Sequence, residues 1–225
     1  MDIQNNLTIP IKTLKQATEL VGGYTITLKM PTISYSISAW DCITGSKLRK
    51  LKNSVCSDCY ALKGNYVRYA KNIRKAQNKR LESINNPNWV NAMVYIMRNQ
   101  KQVVNSGLFR WHDSGDITST EHLNSLFDIA EALPHIQFWL PTKEFKMVRE
   151  VLLNRSCPDN LTIRLSAFKV EASVKQYAGR LGVTASAVTK DKSKANCPSY
   201  QQGGICGDCR KCWDKNNKET IYLKH

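Results

Sequence analysis

Apolar and polar positions alternate between Thr32 and Ala39, with Ile33, Tyr35, Ile37 and Ala39 on one side and Ser34, Ser36 and Ser38 on the other. A period of two predicts a strand. From about Tyr60 to Ile84 the period lengthens. Tyr66, Ala70, Ile73, Gln77, Leu81 and Ile84 share one helical face, Arg68, Lys71, Lys75 and Lys79 take the opposite one, and Asn85-Asn86-Pro87 ends the run. A second helix is expected over 88–99. Strand-like runs over 108–112, 136–140, 161–166 and 183–188 are then separated by helical segments over 119–132, 144–154 and 173–181.

Strand then helix, repeated along a chain, is the signature of parallel β/α units. Parallel strands covered on both faces read as unbroken apolar runs. Here they alternate: Arg110 and His112 in one, Thr162, Arg164 and Ser166 in another. One face of the sheet is therefore polar. The expectation is an α/β fold, a partial (β/α) barrel of about five to six parallel units over 1–190. A C-terminal Cys-rich metal-binding appendage follows over 191–225. Chemistry in such folds gathers at the C-terminal ends of strands.

Composition adds a compartment and a partner class. No run approaches the roughly 18 apolar residues that cross a bilayer, so no membrane association is expected. The opening Met1-Asp2-Ile3-Gln4-Asn5-Asn6 lacks the pattern of a secretory signal. The expected place is the cytoplasm, where paired cysteines read as metal ligands more readily than as disulfides. The 33 Lys and Arg exceed the 18 Asp and Glu, a formal charge of +15. That excess suits a polyanionic partner, most simply nucleic acid, or else a generally basic surface. The stripe Arg68, Lys71, Lys75 and Lys79 has the geometry of any solvated helix face, and few aromatic residues interleave with it.

Seven of the eight cysteines form two groups. Cys42, Cys56 and Cys59 read C-x13-C-x2-C, and Cys197, Cys206, Cys209 and Cys212 read C-x8-C-x2-C-x2-C. Four thiolates close a site, as in structural zinc or a [4Fe–4S] cluster. Three leave one iron of a cubane without a protein ligand. The plainer alternative for the triad is structural zinc completed by His112 or Cys157; Cys157 otherwise reads as a small buried residue. At the predicted strand ends stand His112, Asp113, Ser114, Gly115 and Asp116, then Thr142 and Lys143, then Arg164 and Ser166. His112 and Asp113 are the candidates for proton transfer. Without further context, Asp113 to Asp116 is a turn and a helix start.

Four stretches carry a resemblance: Val55 to Gly64 (VCSDCYALKG), Arg110 to Asp116 (RWHDSGD), Phe138-Trp139 with Thr142-Lys143, and Cys197-Pro198 with Cys206 to Trp213 (CGDCRKCW). They resemble the phage gene-product-88 family over most of the chain, which would place the protein in the host cytoplasm. More distantly, a cysteine triad ending Cys59-Tyr60-Ala61 and a small-Gly-acid motif after the second strand look like the radical S-adenosylmethionine superfamily, and spore photoproduct lyase has a similar ending. That likeness implies a [4Fe–4S] cluster on Cys42, Cys56 and Cys59, whose open iron chelates S-adenosylmethionine. It implies that Ser114, Gly115 and Asp116 meet the cofactor's ammonium group; Thr142, Lys143, Arg164 and Ser166, by their strand-end positions, suit the carboxylate and hydroxyls of a nucleoside-like ligand. It also implies an electron donor, and a second [4Fe–4S] cluster or zinc on the four-cysteine group. The superfamily's usual first gap is three residues; here it is thirteen.

Overall fold

A computed structural model describes residues 10–224. Six strands form one sheet in the order β1-β2-β3-β4-β5-β6, every neighbouring pair parallel: β1 (Ser34–Tyr35), β2 (Leu108–Trp111), β3 (Gln137–Thr142), β4 (Leu161–Ser166), β5 (Thr184–Thr189) and β6 (Glu219–Leu223). Spatial order follows chain order throughout, so each crossover leads to the next position along the sheet. Among the described residues β1 and β6 are edges, and the sheet is not closed.

Nine helices accompany the strands among the described residues: α1 (Leu14–Leu20), α2 (Ile43–Leu48), α3 (Asn65–Arg68), α4 (Ala70–Ser83), α5 (Trp89–Asn99), α6 (Lys101–Ser106), α7 (Thr120–Ala132), α8 (Phe145–Asn154) and α9 (Lys175–Arg180). The alternation seen in the sequence explains the layering. Tyr35, Phe109, Trp111, Phe138, Leu140, Ile163 and Leu165 point from the sheet into one apolar core with Trp89, Met93 and Ile96 of α5 and Leu126 and Phe127 of α7. The intervening residues line the other face: Arg110 stands opposite Trp139, Trp139 opposite Thr162, and Arg164 opposite Thr184.

The C-terminal segment is not set apart from this sheet. It supplies β6 and buries Trp213 against Trp139, ring centroids 5.2 Å apart. The helix expected from Tyr60 to Ile84 is broken: Tyr60–Leu62 is a 3-10 turn, and Tyr69 at φ −111° separates α3 from α4. The first strand is two residues long rather than eight, because only that stretch meets β2 in register.

Candidate functional site

Because all strands are parallel, the segments that leave them emerge at one edge. β1 leads through a 3-10 turn, Ala39–Asp41, into Cys42, which is the residue before α2. After α2 the chain crosses toward the exit of β4. There Val55 N–H donates to Phe168 O (2.8 Å) and Val170 N–H donates to Asn53 O (3.1 Å). It then turns back through the 3-10 turn Val55–Asp58, carrying Cys56, to Cys59. The thirteen-residue gap is spent on one short helix and this bridge. Gly45 of α2 lies where the first two thiols meet: a Cβ there would stand 2.9 Å from Cys42 Cβ, 3.5 Å from Cys42 Sγ and 3.8 Å from Cys56 Sγ.

Two carboxylates, Asp116 and Glu144, and the Lys143 ammonium lie within electrostatic reach of these thiols. Burial first, then the charges of Asp116, Cys59, Cys56 and Glu144, push the Cys42 thiol up. Burial also raises Cys56, with Lys143 opposing it. All three cysteines therefore lie within electrostatic reach of one another. Glu144, at the exit of β3, fixes the loop: its carboxylate accepts from Thr44 N–H and Thr44 Oγ1, both at 2.8 Å. This holds the first turn of α2, directly after Cys42, and compensates its exposed N–H groups. Neither Glu144 nor Thr44 stands out in the sequence, since one lies 100 residues from the other.

Asp116 ties two strand ends together. Its Oδ1 accepts from Ile117 N–H (2.8 Å) and Thr142 Oγ1 (2.6 Å), and its Oδ2 accepts from Lys143 N–H (2.8 Å). Burial pushes its pKa up to about 6, against the pull of those hydrogen bonds. Asp116, Thr142 and Lys143 thus come together beside the triad. Gly115, at φ +84°, crosses the segment just after β1 so closely that a Cβ would meet Ile37 Cγ1 at 2.3 Å. Its glycine is demanded by that crossing. Ser114 Oγ donates to Ile37 O (3.1 Å) and accepts from Gln77 Nε2 (3.3 Å). Gln77 also lines a cavity of about 310 Å³ with Ser36, Tyr66 and Arg80, which no cysteine borders. Asp113 accepts from Ser34 Oγ (2.9 Å), and its carbonyl accepts from the hydroxyl of Tyr60.

Other candidates lie elsewhere. His112 turns to the helix side, at φ +51°, with its ring 5.3 Å from that of His122 and both its nitrogens unpartnered. Burial and the neighbouring His122 hold it well below its ordinary pKa. The structure thus places His112 in the core beside His122, and not among the groups that act on the Cys42 and Cys56 thiols. Arg164 is fully buried and its guanidinium is spent on carbonyls: Cys212 (3.0 Å), Asn217 (2.9 Å), Asp214 (2.9 Å), Ala185 (3.3 Å) and Lys211. It clamps the C-terminal segment rather than offering a free cation to a carboxylate. Ser166 accepts from Ser186 Oγ (3.0 Å) on the next strand. Cys157 lies apart from both groups, and burial pushes its thiol up to about 11.

The four-cysteine group assembles over the polar face. Cys212 Sγ lies 3.2 Å from Tyr222 Oη, and burial pushes its thiol up to about 11. Cys197 and Cys209 both raise Cys206 further beyond the effect of burial, and Arg110 opposes this. The guanidinium of Arg110 stacks 4.4 Å from the Trp139 ring. Cys206 N–H donates to Lys29 O (2.9 Å) and Cys197 N–H to Ile221 O (3.1 Å), so the N-terminal segment and β6 both anchor the loop. Among the described residues no group of three or more His, Cys, Asp or Glu side chains is arranged to hold a metal ion. Also among them, no helix is long and apolar enough to cross a membrane.

Among known proteins, residues 6–215 match the family model described as Gene product 88. No curated protein and no solved structure matches the chain.

Proposed function

The chain belongs to the Gene product 88 family, and from that premise we propose that it is an iron–sulfur enzyme of the radical S-adenosylmethionine type, built on a partial (β/α) barrel. One observation carries this reading: the Cys42, Cys56 and Cys59 thiols share a strand-end edge with Asp116, Thr142 and Lys143. The chain-ordered parallel sheet, with helices on one face and polar residues on the other, supports the barrel.

The cysteines are not gathered into a ready metal site among the described residues; the support for a cluster is donor chemistry, since three thiolates would leave one iron of a cubane open. Cys42, Cys56 and Cys59 would hold that cluster, and Cys197, Cys206, Cys209 and Cys212 would hold a second cluster or zinc. Once bound, the open cluster and S-adenosylmethionine supply one-electron radical chemistry, fed by an external electron donor. Asp116 Oδ2 accepts a hydrogen bond from Lys143 N–H, and a carboxylate oxygen has a second lone pair, which would accept from the cofactor's ammonium group. With a pKa of about 6 it is ionised at neutral pH. Lys143, close enough to oppose the rise at Cys56, supplies the cation for a carboxylate.

A second reading has its own observation. Ser114, Gly115 and Arg164 all have internal partners that explain them. On that reading both cysteine groups are structural and the chain is a basic nucleic-acid-binding protein without catalysis. Reduced, reconstituted protein given S-adenosylmethionine decides between them: the enzyme releases 5′-deoxyadenosine and the binding protein does not. Asp116→Ala should weaken cofactor binding about tenfold through loss of a charge-assisted hydrogen bond.

A further inference from the structure

The basic charge is concentrated. Residues 40–79 hold ten Lys and Arg against Asp41 and Asp58, a surplus of eight out of the chain's fifteen (10 − 2 = 8). Asp58 is already paired, with Lys63 and with Lys224. On this ground stands Trp40, 49% exposed, whereas the other four tryptophans are at most 5% exposed. Its ring lies 4.7 Å from the guanidinium of Arg49, in the loop after α2, and 4.8 Å from that of Arg74, on the exposed face of α4. Tyr69, 55% exposed, has the Arg68 guanidinium 6.0 Å from its ring. In sequence the basic stripe of α4 has few aromatic companions. Folding brings Trp40 to it from thirty-four residues away (74 − 40 = 34).

An exposed indole with two guanidiniums against it, on a strongly positive ground, offers what unpaired bases use: planar surfaces for stacking and cations for phosphates. A duplex keeps its bases stacked internally and offers such a surface only phosphate contacts. We propose that Trp40, Arg49, Arg74 and Tyr69 form a contact surface for single-stranded nucleic acid. It adjoins the triad, since Trp40 lies two residues before Cys42. The proposal deepens the reading of a nucleic-acid partner but needs no cluster, so it can fail while the iron–sulfur reading stands.

The buried state of the other tryptophans provides the assay. A single-stranded homopolymer such as oligo(dT) should quench the fluorescence of the full-length protein through Trp40, and Trp40→Ala should weaken binding about tenfold by polarisation of a labelled oligonucleotide. Trp40→Tyr should restore most of the affinity without the quenching. Replacing Arg74, Lys71 and Lys75 by Gln together should lower the slope of log K against log salt by about 2. Unchanged thermal unfolding keeps these results attributable to the surface. Equal affinity for duplex and single strand without quenching, equal competition by polyglutamate, or no effect of Trp40→Ala would each overturn the proposal.

Discussion

The two cysteine groups differ in what surrounds their sulfurs. The four-cysteine group is woven into the sheet: Arg164 donates to five carbonyls, three of them within Lys211–Asp214, Trp213 Nε1–H donates to Phe109 O (2.9 Å), and Thr162 Oγ1 donates to Trp213 O (2.7 Å). The triad sits on 3-10 turns and a six-residue helix, and its neighbours are the carboxylates and ammonium of Asp116, Glu144 and Lys143. One environment holds backbone in place and sets cations, Arg110 and Arg164, against its thiols. The other gathers charge around thiols of which burial and mutual repulsion raise Cys42 and Cys56, so that a bound cation would favour their ionised forms. On the proposed function, this contrast makes the first group structural and the second the one that meets small molecules.

The largest expected effect breaks this symmetry. Cys209→Ser should cost about 4 kcal/mol or more, lowering the melting temperature by roughly 10 °C, because the metal proposed for this group would be folding energy for the segment that carries β6. Cys56→Ser should lower it by only a few degrees. Equal losses would show that both groups are structural. Next comes Arg164→Met, expected to cost about 3 kcal/mol in chemical denaturation, since it strands several buried carbonyls. Arg164→Lys should not rescue it, because an ammonium cannot span the same fork of acceptors.

Smaller effects sharpen the triad side. Glu144→Gln should cost about 1–2 kcal/mol by loosening Thr44 and the first turn of α2. It should also slow or weaken metal uptake at the triad while leaving the four-cysteine group loaded. The histidine pair behind β2 gives an effect that neither group should alter. Burial holds His122 at about 3, below its ordinary 6.5, so the stability this neutral ring contributes is complete above pH 6.5. It is lost as pH falls from 6.5 toward 3, with a slope of up to roughly 1.4 kcal/mol per unit. His122→Phe should reduce that slope, His112 retaining its own share, whereas Cys56→Ser should leave it unchanged in urea titrations across pH.

Much of the frame was legible in the chain. Period-two alternation located β2 to β5 within a residue or two, and the serines and Arg164 correctly marked a polar face. The sixth strand was missed because Glu219–Leu223 lies in a polar tail, and only its pairing with β5 makes it a strand. Asp116, Thr142 and Lys143 do meet beside the cysteines, as strand-end logic implies. His112 does not, because a left-handed backbone at φ +51° turns it toward the helices, which no single-residue signal announces. Glu144 and Trp40 were invisible for a different reason. Each acts on residues distant in sequence, through contacts that exist only once the strands are in order.

The central claim, that three cysteines hold a cluster with one open iron, is tested most directly by S-adenosylmethionine titration of the anaerobically purified, reduced protein. Electron paramagnetic resonance should be the readout, with iron, sulfide and zinc determined on the same sample. The account predicts iron and sulfide, and a cluster signal that the cofactor perturbs. That perturbation should survive in Cys209→Ser and disappear in Cys59→Ala. A colourless protein with stoichiometric zinc at both groups, or an iron–sulfur signal indifferent to the cofactor, would contradict it.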